Sequence, residues 1–387
     1  MTMITTGNTT ELIRGAAELE ETERGLRIHR LPGWVRRQYP DGQLLSMETQ
    51  TSGVRLEMVT EAKTIELTLH PSRIAFRGAD RPRGAVDVLV DGQLFCRDTL
   101  DGGDVVEVDF VSGDSNFLPG PPHRTAVTGL PTGEHRVEIW LPHNESVEVV
   151  DLTADLPLRA ARARRRLWVH HGSSISHGSN AAAPTEIWPV IAAQRGGVEL
   201  RNLGFGGSAQ VDPFMARVIR DTDADLISVK LGINVVNADA MRLRAFVPAV
   251  HGFLDTIRDG HPQTPLLLIS PIFSGIHEQV PGPGAVDVST LGTDQVRFIA
   301  TGHPEEVQRG ALTLEVIRRE LASLVERRDD DPQLHYLDGS NLYGAADADQ
   351  LPLVDGLHPG PAAHRVIGER FADRVFTVDG PFGPARS

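Results

Sequence analysis

Three hydroxyls crowd one turn of this 387-residue chain. Ser173, Ser174 and Ser176 follow Gly172 at the end of an apolar run that begins at Leu167. Ile187, Trp188 and Ile191 then resume at helical spacing. A strand that ends in a glycine-flanked serine turn and passes into a helix presents a hydroxyl at a sheet's C-terminal edge, where unpaired N–H groups can meet an anion. Far along the chain, Asp355-Gly356-Leu357-His358 sets a carboxylate three residues before an imidazole. These are the types that nucleophilic acyl transfer needs. A serine is a poor nucleophile until a neutral imidazole takes its proton, and a carboxylate must hold that imidazole's tautomer. The turn alone does not choose among its serines, because serine beside glycine is ordinary turn chemistry. Asp338 is a second carboxylate that could orient the imidazole, without the three-residue link to it.

The elements that would position these groups follow from periodicity. After Arg166 the rhythm is strand, loop, helix. Apolar runs at 167–169, 198–203, 226–231, 266–269 and 334–337 read as five strands, with helical spacing most regular over 240–257 and 305–325 and a last helix from about Pro361. Such alternation implies a parallel sheet covered by helices, with sites outside the C-terminal ends of the strands. His364 on the last helix is expected to face solvent. The stretch 271–304, rich in Gly and Pro, has the length of a lid, a binding loop or a disordered segment.

Residues 25–155 alternate with period two instead: Leu45 and Met47; Val54, Leu56 and Met58; Ile65, Leu67 and Leu69; Val86, Val88 and Val90; Val137, Ile139 and Leu141. Asp91-Gly92 after Val90 is a hairpin signal. Many short strands broken by Gly and Pro predict an all-β sandwich, jelly-roll-like, ahead of an α/β domain. The expected order is a frayed segment over 1–20, the sandwich over 21–155, an arginine-rich linker over 156–166 and the α/β domain over 167–387.

Composition narrows the function. A net charge of −14 argues against nucleic acid or an anionic membrane as partner. Cys96 is the lone cysteine, which excludes a disulfide framework and a thiolate metal site. His170, His171 and His177 flank the serine turn, but no carboxylate or cysteine completes a ligand set, so no metal and no bound cofactor are expected. The first residues lack a signal peptide's apolar core, no segment is long enough to span a bilayer, and a cytoplasmic location is expected. Oligomeric state is not legible.

Four short motifs fall at strand ends: Gly172-Ser173-Ser174-Ile175-Ser176, Asn202-Leu203-Gly204-Phe205-Gly206-Gly207, Gly232-Ile233-Asn234 and Asp355-Gly356-Leu357-His358. In this order the series resembles the four blocks of the SGNH (GDSL-type) hydrolase superfamily, across about 167–375. The resemblance implies a three-layer α/β domain with Ser174 as nucleophile, His358 as general base and Asp355 as its orienting acid. It also implies an oxyanion hole from the backbone N–H of Ser174, the backbone N–H of Gly207 and the side-chain amide of Asn234. In isolation Gly207 could be a plain turn glycine and Asn234 a loop cap. Two positions depart from the family pattern: Ser173 and Val235 stand where aspartates are usual, which puts substrate preference in doubt. Gly113-Asp114-Ser115 spells the GDSL name more literally. However, Phe117-Leu118-Pro119-Gly120-Pro121-Pro122 follows it, where no helix can form, so a loop is expected there.

The two-part layout resembles two groups within the superfamily. One removes acetyl groups from polysaccharides. The other consists of actinomycete acyltransferases of polyketide tailoring, which move an aryl acyl group such as salicylyl from coenzyme A onto a tetracycline-type scaffold. The absent secretion signal and the arginine-rich usage favour the second, with acyl-CoA as co-substrate and a small-molecule acceptor. A carbohydrate or small-molecule esterase is the alternative. A further one is a non-catalytic carbohydrate-binding protein.

Overall fold

The computed structural model describes residues 4–5, 9–77, 82–109, 112–161, 165–290, 293 and 296–383. The chain divides into two compact units, 1–164 with 183–185 and 165–182 with 186–387.

The first unit is a sandwich of two sheets, mostly antiparallel. Alternate residues of both sheets meet in one core that includes Leu56, Met58, Ile65, Leu67, Val86, Val88, Val137 and Ile139. The expected hairpin is present: Ala85–Val90 pairs with Gln93–Thr99, and Asp91 and Gly92 both take positive φ (49° and 81°). Those angles match a two-residue turn to the twist of its strands.

Four readings of this unit are revised. Within the segment 1–20 expected to be frayed, residues 9–20 are built into the sandwich: Leu12 and Ile13 lie in the core, and Glu18–Glu21 pairs with Leu26–His29; residues 1–3 and 6–8 lie outside the described residues. Apolar side chains that local periodicity left unassigned anchor this segment. Leu45 and Met47 belong to a helix, Gly42–Glu48, because the Asp41 carboxylate accepts the Leu44 N–H at 2.8 Å and caps it. The linker is partly strand, since Arg159–Ala160 pairs with the strand Arg55–Thr60; residues 162–164 lie outside the described residues. Ser115 opens a strand, Ser115–Leu118, where a loop was expected.

The second unit is built on five parallel strands: Leu167–Gly172, Glu199–Gly204, Leu226–Lys230, Leu266–Ile269 and Leu334–Leu337. Their spatial order is second, first, third, fourth, fifth. The chain therefore reverses direction across the sheet between the first and third strands, and doubly wound sheets bind ligands at that switch point. The serine turn follows the first strand and Asn234 the third, so both lie at the switch. Helices such as Leu243–Gly260 and Pro361–Val375 supply the remaining layers. Among the described residues no helix is long and apolar enough to cross a membrane.

His364 is the clearest correction here. It is buried, accepting the Trp188 N–H and donating to Ser179 O at 2.9 Å. It shares the inward face of its helix with Ile367, Phe371 and Val375, so helical spacing, not residue type, decides where it points.

Candidate active site

The first strand ends at Gly172, and Ser173 enters an extended conformation that caps the short helix Ser174–His177. The Ser173 hydroxyl accepts the Ile175 N–H at 3.4 Å. Gly178, at φ 110°, closes the helix by donating to Ser174 O at 2.9 Å. The turn presses against the neighbouring strand: a Cβ on Gly204 would stand 2.5 Å from the backbone N of His177. Only glycine permits that approach.

Behind the turn runs a buried polar line. The Trp168 indole donates to Ser228 Oγ at 2.8 Å, and the ring of His170 bridges Ser228 Oγ (2.7 Å) and Ser176 Oγ (2.8 Å). Ser176 therefore faces the interior, with its carbonyl accepting the Asn202 side-chain N–H at 2.9 Å. His171 Nδ1 donates to Leu203 O, and His177 Nδ1 to Gly204 O. Burial pushes His170 well below its ordinary value and His171 down to about 4, so both rings are neutral. Among the described residues no group of three or more His, Cys, Asp or Glu could hold a metal ion.

Of the three turn serines, Ser174 alone reaches the distant imidazole. Its Oγ lies 2.8 Å from His358 Nε2, and His358 Nδ1 lies 2.7 Å from Asp355 Oδ2. The other Asp355 oxygen accepts the backbone N–H groups of Leu357 and His358 at 3.0 and 2.7 Å. Burial alone would raise the Asp355 carboxyl, but the hydrogen bond from His358, its charge and the two backbone N–H groups outweigh that and hold it below the usual carboxylate range. An ionised Asp355 can only accept, so Nδ1 carries the proton and Nε2 is left to accept from the Ser174 hydroxyl. Asp338 does not compete: its carboxylate accepts Ser340 N–H and caps a different turn.

The Asn234 amide is fixed through its oxygen, which accepts the Ala209 N–H at 3.1 Å and leaves the NH₂ limb available. Gln210, which no spacing argument singles out, ties this region together by donating to both Gly207 O and Asn234 O. The N–H of Ser174, the N–H of Gly207 and the amide NH₂ of Asn234 have no protein partner among the described residues. Ser–His–Asp contacts beside spare donors are what a serine-centred acyl transfer requires.

Residues 171–366, half of the chain, match the GDSL-like lipase/acylhydrolase family. The chain belongs to that family. Among solved structures, the salicylyl-acyltransferase SsfX3 from a tetracycline biosynthetic pathway is 25% identical with a TM-score of 0.76, covering 95% of each chain. A GDSL-like lipase from Bacteroides ovatus is 18% identical with a TM-score of 0.66, over 96% of this chain and 95% of that one. A family two carbohydrate esterase from Clostridium thermocellum is 14% identical with a TM-score of 0.55, over 83% of this chain and 91% of that one. The last two establish the SGNH fold with a preceding β-sandwich and nothing beyond it. By sequence, the chain has no match among curated proteins.

Within this GDSL-family chain the two departures from the usual pattern have local explanations. Ser173 fills the cap position, where serine and aspartate serve alike. Val235 is fully buried, and an aspartate there would need a partner.

Proposed function

We propose that this family member is an acyltransferase that carries an aryl acyl group from acyl-CoA to a hydroxyl of a polyketide-type acceptor through an ester on Ser174. His358 Nε2 takes the Ser174 proton as Oγ attacks the thioester carbonyl. The tetrahedral oxyanion is held by the Ser174 N–H, the Gly207 N–H and the Asn234 amide, each donor supplying about 3 kcal/mol. The intermediate collapses, the C–S bond breaks, and His358 returns the proton to the departing CoA sulfur. The acceptor hydroxyl then repeats the first half: His358 removes its proton, its oxygen attacks the acyl-enzyme, and Ser174 leaves with the proton returned. Asp355 stays ionised throughout and keeps Nδ1 protonated. Coenzyme A is a co-substrate in this scheme, not a resident cofactor.

The observation that favours transfer over hydrolysis is the likeness to the salicylyl-acyltransferase, whose identity of 25% and TM-score of 0.76 exceed those of the lipase and the carbohydrate esterase. Hydrolysis is the second reading, because the family description names acylhydrolases and the same groups would serve a water acceptor. The purified protein incubated with an aryl-CoA, with and without a polyketide acceptor, separates the two. Transfer predicts acylated acceptor and slow CoA release without it. Rapid CoA release without acceptor, and no acylated product with it, would leave hydrolysis.

A further inference from the structure

Asn234 and His358 must sit correctly at the same instant, one facing the oxyanion and one the proton, yet they belong to segments far apart in sequence. Asn234 lies on the short helix Ile233–Asn237, and His358 on the turn that begins near Leu353. The long excursion between the fourth strand and the helix Leu314–Glu326 touches both.

Its contacts with the Asn234 helix are tight. His277, fully buried, meets the side-chain amide of Asn237 through Nε2 at 2.7 Å, while its Nδ1 bonds Val280 O at 3.2 Å. Gly282 runs so close that a Cβ would stand 1.7 Å from Val236 O. The excursion also grips the acid–base turn. The Phe298 N–H donates to Asp355 O at 2.8 Å, and the Ser274 hydroxyl to Gly356 O at 3.1 Å. The Phe298 ring meets the His358 imidazole edge to face, with centroids 5.8 Å apart at 76°. A hairpin joins the two grips, pairing Gly284–Val286 with Phe298–Ala300 and setting Val286 opposite Phe298.

We propose that the turn 274–280 and the hairpin strands 284–286 and 298–300 form a brace that fixes Asn234 relative to His358, with His277 and Phe298 as its positioning residues. Acyl transfer tolerates little slack between oxyanion donor and base, and a displacement of about 1 Å costs up to about 10²-fold in rate. Neither residue touches substrate in this assignment. Each acts through a group that does: His277 through Asn237 and its helix, Phe298 through His358. The stretch expected to be a lid, a binding loop or disordered becomes, on this proposal, part of the catalytic frame.

The inference rests on the serine chemistry above but not on the identity of the acceptor, so water suffices in its test. His277→Ala, Phe298→Ala and the double variant are compared in hydrolysis of an activated aryl ester and in the rate of labelling by a fluorophosphonate. Each single substitution is expected to lower kcat by about 10-fold or more with little change in KM. The double variant should lose little more than the worse single one, because a brace is broken once. Phe298→Tyr, which keeps the ring, should recover the rate. If His277→Ala fails to fold by circular dichroism, His277→Gln takes its place in the same comparison. Singles that keep kcat within about twofold of the wild type, or a double loss equal to the product of the singles, would overturn the brace. A wild-type protein that neither hydrolyses nor labels would overturn the parent reading instead.

Discussion

The two units bury their imidazoles among different partners. In the sandwich, charge meets charge: Arg55 with Glu57 at 2.6 Å, Arg97 with Asp87 at 2.6 Å, Arg83 with Glu145 at 2.8 Å. His29 there lies between Glu48 and Glu20 at 2.7 and 2.9 Å. In the catalytic unit the buried imidazoles of His170, His171 and His364 face hydroxyls and backbone groups instead. Paired charges lock a fold but resist any change of protonation. In the proposed chemistry, neutral imidazoles beside hydroxyls keep the surround of the Ser174–His358–Asp355 line low in dielectric while a proton passes between Ser174 and His358. On that reading the sandwich's ion pairs serve its fold, and the neutral imidazoles of the other unit frame the proposed chemistry.

Removing the proposed base should have the largest effect. His358→Ala is expected to lower kcat by about 10⁴-fold or more while thermal unfolding stays near that of the parent. A large loss of stability instead would make His358 a structural group like His29. Next comes Asn234→Ala, with about 10²- to 10³-fold lost from kcat and KM nearly unchanged, as steady-state kinetics would show. A pure KM effect would contradict an oxyanion role.

Acid should then separate the units. His171 and His364 are pushed down to about 4 by burial. The unfolded chain therefore binds protons that the folded one refuses between about pH 6.5 and 4, and stability falls as pH drops through that window, by about 3 kcal/mol per histidine. His29 behaves in reverse. Burial opposes its charge, but its hydrogen bonds to Glu48 and Glu20 and the negative charge of Glu48 prevail and raise its value. Its contribution is full below the ordinary histidine value and is lost as pH rises through the folded one. Hydrogen exchange between pH 6.5 and 4.5 should show the catalytic unit loosening before the sandwich. Equal loosening would erase the contrast. The smallest effect is expected from His29→Gln, which should flatten the sandwich's stability profile on the alkaline side without altering kcat, as pH-dependent denaturation and kinetics together would report.

Sequence and structure agree where the signal is local. The fourth and fifth strands end where their apolar runs end, at Ile269 and Leu337, and Asp91-Gly92 makes its hairpin. The Asp355–His358 spacing was legible because both residues share one turn. What stayed hidden depends on partners distant in sequence. Leu12 and Ile13 look like part of a polar tail until a sheet covers them. His364 reads as a polar residue until its neighbours on the helix face bury it. Phe298, Ser274, His277 and Gln210 follow no motif, because each acts by reaching a segment that spacing cannot bring near.

The proposed chemistry requires Ser174, and neither neighbouring serine, as the reacting hydroxyl, driven by His358. A fluorophosphonate probe followed by peptide mass mapping tests it most directly. The predicted result is a single adduct on Ser174, absent from Ser174→Ala and strongly slowed in His358→Ala. An adduct on Ser173 or Ser176, or none on the wild-type protein, would contradict it.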